Sequence, residues 1–224
     1  MKLNENKLLN KYTRFYITEA YKSCRTNIKA KLPDNRCKKI MITSPLPNEG
    51  KSITCANLAI SFAEIGGKVL LLECNLRKPS QEKLFNSEVQ NGLSDFLEQR
   101  CTVSEIITPT SYANLDLIPA GHIPNNPSEL LDSNKISTLF SELEEIYNYI
   151  IVDTPPVNIV TDTSILATYK EMEIIFVVRR NYTKHKDIKE AIRRLEFVNG
   201  KVKGFILNDL AIKGKKKKLK YTEK

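Results

Sequence analysis

The sequence predicts an α/β domain built on a doubly wound, mostly parallel sheet. Short apolar runs such as Val69-Leu-Leu-Leu72 and Ile174-Ile-Phe-Val-Val178 lack polar alternation, as strands covered on both faces require. These runs are interleaved with stretches of helical periodicity, the pattern of βαβ units. The segment Ser44-Pro-Leu-Pro-Asn-Glu-Gly-Lys-Ser52 joins a strand to a helix, where backbone N–H groups can converge on an anion.

Each element has its own local reason. Tyr12 to Lys31 reads as a helix carrying Phe15, Ile17, Ala20, Cys24 and Ile28, ended by Pro33. Strands are expected at Ile40–Thr43, Lys68–Glu73, Leu115–Ile118, Tyr149–Asp153, Glu173–Val178 and Val202–Leu207, with helices at 51–65, 133–147, 161–168 and 184–198. Segment 75–135 is less regular, and no internal repeat is visible.

A chain of 224 residues buries one full core. The expected organisation is an N-terminal helical extension (1–34), a single α/β domain (35–212) and a disordered basic tail (213–224). Composition, 41% hydrophobic and 27% charged, is that of an ordinary soluble protein. No apolar run approaches the ~20 residues of a membrane span, and Met1-Lys-Leu-Asn-Glu-Asn-Lys7 has no secretory apolar region, so a cytoplasmic location is expected. The five cysteines, Cys24, Cys37, Cys55, Cys74 and Cys101, show no C-x-x-C spacing and read as reduced thiols; with two histidines, a zinc site has little support.

The net charge of +9 resembles a nucleic-acid signal until it is located. Residues 213–224 carry seven lysines and one glutamate, +6 of the total, so no specific nucleic-acid partner is expected. That tail is either solvated or drawn to an anionic surface, and Tyr221 is its one residue with reactive potential.

Two kinds of motif carry chemistry. In the loop, Lys51 is suited to reach β- and γ-phosphates and Ser52 to hold magnesium. Pro45 replaces the usual first glycine, and Asn48 can take the left-handed turn because its short polar side chain tolerates positive φ. Asp153 ends an apolar strand in the Walker B manner, while Glu73 and Asn75 end the strand after the loop helix. The bland alternatives are a chance Gly-Lys-Ser turn and a carboxylate that caps a helix.

These segments, with Leu76-Arg-Lys-Pro79, Gly92-Leu-Ser-Asp-Phe-Leu97, Asn126-Pro-Ser-Glu-Leu-Leu131, Asp153-Thr-Pro-Pro156 and Val160-Thr-Asp162, are jointly specific. From about residue 16 to 212 the chain resembles the bacterial protein-tyrosine kinases of capsule and exopolysaccharide export, a deviant Walker-motif group with a P-loop NTPase-like fold. The resemblance implies transfer of the ATP γ-phosphate to tyrosines in a neighbouring subunit's tail, with Tyr221 as acceptor. It implies that Asn48, Glu49, Gly50, Lys51, Ser52, Ile53 and Asn208 bind ATP. Ser52, Asn75 and Asp153 would hold Mg2+, and Lys51, Glu73 and Asp153 would be catalytic, Glu73 standing where the base is expected. On spacing alone Asn208 is equally a strand-end cap.

The resemblance further implies a membrane chain-length regulator as activator, a ring-like homo-oligomer, a cognate tyrosine phosphatase, and a peripheral position at the inner membrane face through the partner. Glu19, Lys22 and Arg25 match the family's E-x-x-R-x-x-R subunit-contact motif, with lysine at its middle place. Lysine lacks arginine's bidentate fork.

Three departures bear on activity. The family's Asp-x-Asp pair is Glu73 and Asn75, which lengthens one arm and removes one charge, and the tail has a single tyrosine. A weakened kinase and an ATP-gated regulator without transfer both fit. A partitioning-type ATPase is the further alternative, though its signature lysine position, five before Lys51, is Leu46.

Overall fold

Side chains alternate across a strand, so a strand covered on both faces must be apolar at every position. Ile40 and Ile42 enter one core layer with Val69, Leu71, Ile151 and Val177. Met41 enters the opposite layer with Leu70, Leu72, Val152 and Phe176.

The computed structural model describes residues 7–11, 13–32, 37–88 and 90–209. Pro33, Tyr221 and the basic tail lie outside them. The elements run α1 (Phe15–Lys29), β1 (Lys38–Thr43), α2 (Lys51–Ala63), β2 (Val69–Glu73), α3 (Gln81–Phe85), α4 (Leu93–Leu97), α5 (Val103–Ile106), β3 (Thr108–Pro109) and β4 (Leu115–Ile118). There follow α6 (Pro127–Leu131), α7 (Asn134–Ile146), β5 (Tyr149–Asp153), α8 (Asp162–Leu166), β6 (Met172–Arg179), α9 (His185–Glu196) and β7 (Val202–Asn208).

Among the described residues the sheet has seven strands in the order β3-β4-β2-β5-β1-β6-β7. Every neighbouring pair is parallel except β3 with β4. All six expected strands are present within a residue or two of their expected ends. The sequence misses β3, whose two residues pair antiparallel with β4 at Thr108↔Leu117. It also misses the four helices α3 to α6, each only four or five residues long and too short to develop an apolar period.

Helix α2 is buried from Thr54 to Ala63, because the sheet covers one side and the N-terminal segment the other. Leu8 and Leu9 pack on it, and Asn57 accepts from Leu9 N at 2.7 Å while donating to Lys7 O at 3.0 Å. Phe62 faces Tyr149 with ring centroids 4.6 Å apart; removing a fully buried ring of this size costs about 3–5 kcal/mol. Helix α1 joins the same layer through Ile28, Tyr21 and Cys24. No described helix is long and apolar enough to cross a membrane.

Candidate nucleotide site

Parallel strands bring their carboxyl ends to one edge of the sheet, and β1, β5 and β2 are neighbours there. The loop leaving β1 therefore stands beside the last residues of β5 and β2. Glu73 and Asp153 are in-register partners, and Ile42 pairs with Asp153 from the other side.

The loop is shaped by two left-handed residues, Asn48 at φ 61° and Gly50 at φ 87°. Gly50 has a second constraint: a Cβ there would lie 2.0 Å from Asn208 Nδ2. The Asn208 amide donates to Glu49 O at 2.9 Å, so the end of β7 clamps the loop. The Glu49 carboxylate accepts from Leu46 N at 2.8 Å and from the Thr183 hydroxyl. Burial raises its carboxyl above the ordinary range, and the Thr183 bond opposes that rise. Lys51 opens α2, nearly buried, and Ser52 and Ile53 follow in the first turn.

Asp153 is wholly buried, which raises its carboxyl; nearby Lys51 and hydrogen bonds from the Gln81 and Ser52 side chains pull it back. Glu73 is also wholly buried. Its Oε1 accepts from Ser80 N and from Gln81 N at 3.0 Å. Burial, and then repulsion from Asp153, push its carboxyl up to about 7. Asn75 turns its amide to Lys78 O at 3.0 Å, stapling its own loop.

Four buried polar atoms around these acids have no hydrogen-bond partner: Glu73 Oε2, Ser80 Oγ, Gln81 Oε1 and Asp153 Oδ1. Ser80 Oγ can donate as well as accept, and the three remaining oxygens, on Glu73, Gln81 and Asp153, are acceptors that suit a cation or its water shell. Two oxygen-bearing acids, a loop hydroxyl and a nearby ammonium suit hydrated magnesium on a phosphate. The donor set fits magnesium bound to a nucleotide triphosphate.

Three motif segments meet next to this edge. Arg77 grips the buried Asp162 with both prongs, Nε to Oδ2 at 2.9 Å and Nη2 to Oδ1 at 3.0 Å, and reaches Ser128 Oγ at 2.9 Å. Ser128 in turn donates to Asp162 Oδ1 at 2.7 Å. The Leu76-Arg-Lys-Pro79, Asn126-Pro-Ser and Val160-Thr-Asp162 runs are thus one network, which fixes the loop between Glu73 and α3.

Of the expected site residues, Asn48 to Ile53, Glu73, Asp153 and Asn208 come together here. Glu19, Lys22 and Arg25 lie on α1. Lys22 pairs with Glu19 at 2.9 Å on the surface, while Arg25 turns inward to Ser61 Oγ at 3.1 Å and Glu64 at 3.8 Å. Sequence reasoning missed Gln81 and Thr183. Neither lies in a loop-type motif, and only the return of α3 and of the β6–α9 turn to the loop gives them a role.

A family model described as an AAA domain matches residues 38–212. A putative tyrosine-protein kinase CapB of Staphylococcus aureus is 36% identical over 196 residues, 88% of this chain and 86% of that protein. Tyrosine-protein kinase wzc of Salmonella typhimurium is 33% identical over 86% of this chain, which spans only 27% of that longer relative. The crystal structure of the chimerical protein CapA2B2 superposes with a TM-score of 0.82 at 34% identity, covering 88% of this chain and 86% of that one. The kinase domain of Escherichia coli tyrosine kinase ETK gives 0.83 at 28% identity, covering 88% and 77%. With the family model matched over residues 38–212 and CapB matched over most of both chains, the chain belongs to the bacterial tyrosine-protein kinase family.

Proposed function

We propose that the chain transfers the γ-phosphoryl group of magnesium-ATP to tyrosine, with Tyr221 of its own kind as an acceptor, in the control of capsule or exopolysaccharide synthesis and export. One observation carries this reading: Glu73 and Asp153 are paired in register near Lys51 and Ser52, and each acid keeps one oxygen without a partner. Asn48 to Ser52 cradle the phosphates, and Asn208 holds the loop for the adenosine end. Ser52, Asn75 and Asp153 would hold magnesium. Magnesium, when bound, neutralises charge on the transferring group.

In the transfer the phenolic oxygen bonds to the γ-phosphorus, the bond to the bridging oxygen breaks, and ADP leaves. The phenol, with a pKa near 10, must give up its proton, and Glu73, paired in register with Asp153 at the strand ends, is the group to take it. A membrane chain-length protein is the partner and activator, and holds the chain at the inner membrane face. Copies assemble through α1, where Glu19, Lys22 and Arg25 contribute, and a tyrosine phosphatase resets the tail.

A second reading is favoured by a specific observation. Glu73 is wholly buried, with one oxygen committed to two backbone N–H groups, and Asn75 brings no charge. Both features suit a weakened kinase, or a nucleotide-gated regulator that never transfers. Phosphopeptide mass spectrometry after incubation with magnesium-ATP tests the two. Phosphate on Tyr221 in the native chain, absent in Lys51→Ala, supports transfer. Phosphate only in a Glu73→Asp/Asn75→Asp version supports the regulator.

A further inference from the structure

Gln81 is the first residue of α3, and its side chain is wholly buried between the first turn of α2 and the end of β5. Its Nε2 donates to Asp153 Oδ2 at 2.6 Å and to Ser52 O at 3.1 Å. Both amide protons are therefore used. The orientation is fixed by chemistry, since a flipped amide would set its oxygen 2.6 Å from a carboxylate oxygen, acceptor against acceptor. The consequence is that Gln81 Oε1 points away with no donor, as do Asp153 Oδ1 and Glu73 Oε2.

A buried amide oxygen is unfavourable without a donor, and no described group makes a hydrogen bond to this one. Water bound to a divalent cation is such a donor: its protons point outward from the metal, and magnesium keeps several waters when bound. We propose that Gln81 is a positioning residue of the magnesium–nucleotide site, fixing one Asp153 oxygen against α2 and presenting Oε1 to a metal-bound water. The assignment rests on the magnesium-ATP reading above, and adds a residue outside the loop and the strand-end acids. Groups in this outer position orient the metal's partners, and their loss commonly lowers metal affinity 10- to 100-fold.

The test measures binding rather than transfer. Full-length native chain and Gln81→Met, which fills similar volume without polar atoms, are titrated with a fluorescent ADP analogue, first in EDTA and then over a magnesium series. The expected result is nucleotide affinity within about twofold in EDTA and a roughly tenfold or greater rise in the magnesium concentration for half-maximal effect. A purely structural role would lower both together. Unchanged magnesium dependence in the folded variant overturns the proposal. Should Gln81→Met not fold by circular dichroism, Gln81→Asn keeps the amide but withdraws it by one methylene, and is held to the same shift. No magnesium effect in the native chain overturns both this assignment and the nucleotide reading. A shift on substitution in a chain that never phosphorylates tyrosine supports the Gln81 role and rejects only the kinase function.

Discussion

Glu73→Gln is the sharpest probe of the site's electrostatics. In the chain free of metal and nucleotide, burial and the Asp153 carboxylate raise the Glu73 carboxyl from the ordinary 4.5 to about 7. A group whose folded value is raised stabilises the fold fully below its unfolded value, and that contribution is lost as pH rises through the folded one. The window therefore runs from about 4.5 to about 7. By pH 8 the loss amounts to ~3 kcal/mol, taking ~1.4 kcal/mol per pKa unit. Glutamine keeps an oxygen for the Ser80 and Gln81 N–H groups and sets an NH2 where Glu73 Oε2 has no partner, beside the unpartnered Asp153 Oδ1. The variant should thus exceed the native chain in stability by up to ~3 kcal/mol at pH 8, or ~6–12 °C in Tm, and match it near pH 4. Urea denaturation in EDTA at both pH values measures this. A difference independent of pH, or a variant less stable at pH 8, would refute the reasoning.

Two further substitutions probe the frame of the site. Gly50→Ala drives a Cβ into Asn208 at a left-handed residue, and should cost ~1–3 kcal/mol in thermal unfolding while weakening nucleotide binding; an unchanged Tm contradicts the clamp. Arg77→Ala leaves the buried Asp162 with the Ser128 hydroxyl in place of a two-pronged guanidinium, and should cost about 2 kcal/mol, less than a fully buried pair because Arg77 is 40% exposed. Equal stability of native and variant chains by denaturant titration would show that the network is ornamental.

The nucleotide loop, the six principal strands and the acids at their ends were legible because each has a short-range signature. Apolar runs announce double coverage, and Gly-Lys-Ser after a strand announces an anion cradle. Asn48 takes the left-handed conformation that its side chain allows. What was not legible depends on contacts between distant segments. Gln81 reaches Asp153 and Ser52, Thr183 reaches Glu49, and Asn208 lies over Gly50, and no local pattern encodes those pairs. Arg25 is the opposite case, a residue set out on a helix stripe by spacing whose guanidinium is drawn inward to α2. Segment 75–135 looked irregular because its helices α3 to α6 make one turn each and are fixed by tertiary contacts such as Arg77 with Ser128.

The strand order has a consequence for how the chain is made. Ile40 of β1, an interior strand of the sheet, lies between Ile151 of β5 and Glu173 of β6. Both partners leave the ribosome more than ~100 residues after it, and such distant closures are slow. Until they arrive, the nascent polypeptide holds β1 with two open sides and α2 with much of its apolar surface uncovered, a state open to aggregation and to chaperones. The nucleotide cradle is encoded early in translation, but it can be assembled only when nearly all of the domain has been synthesised.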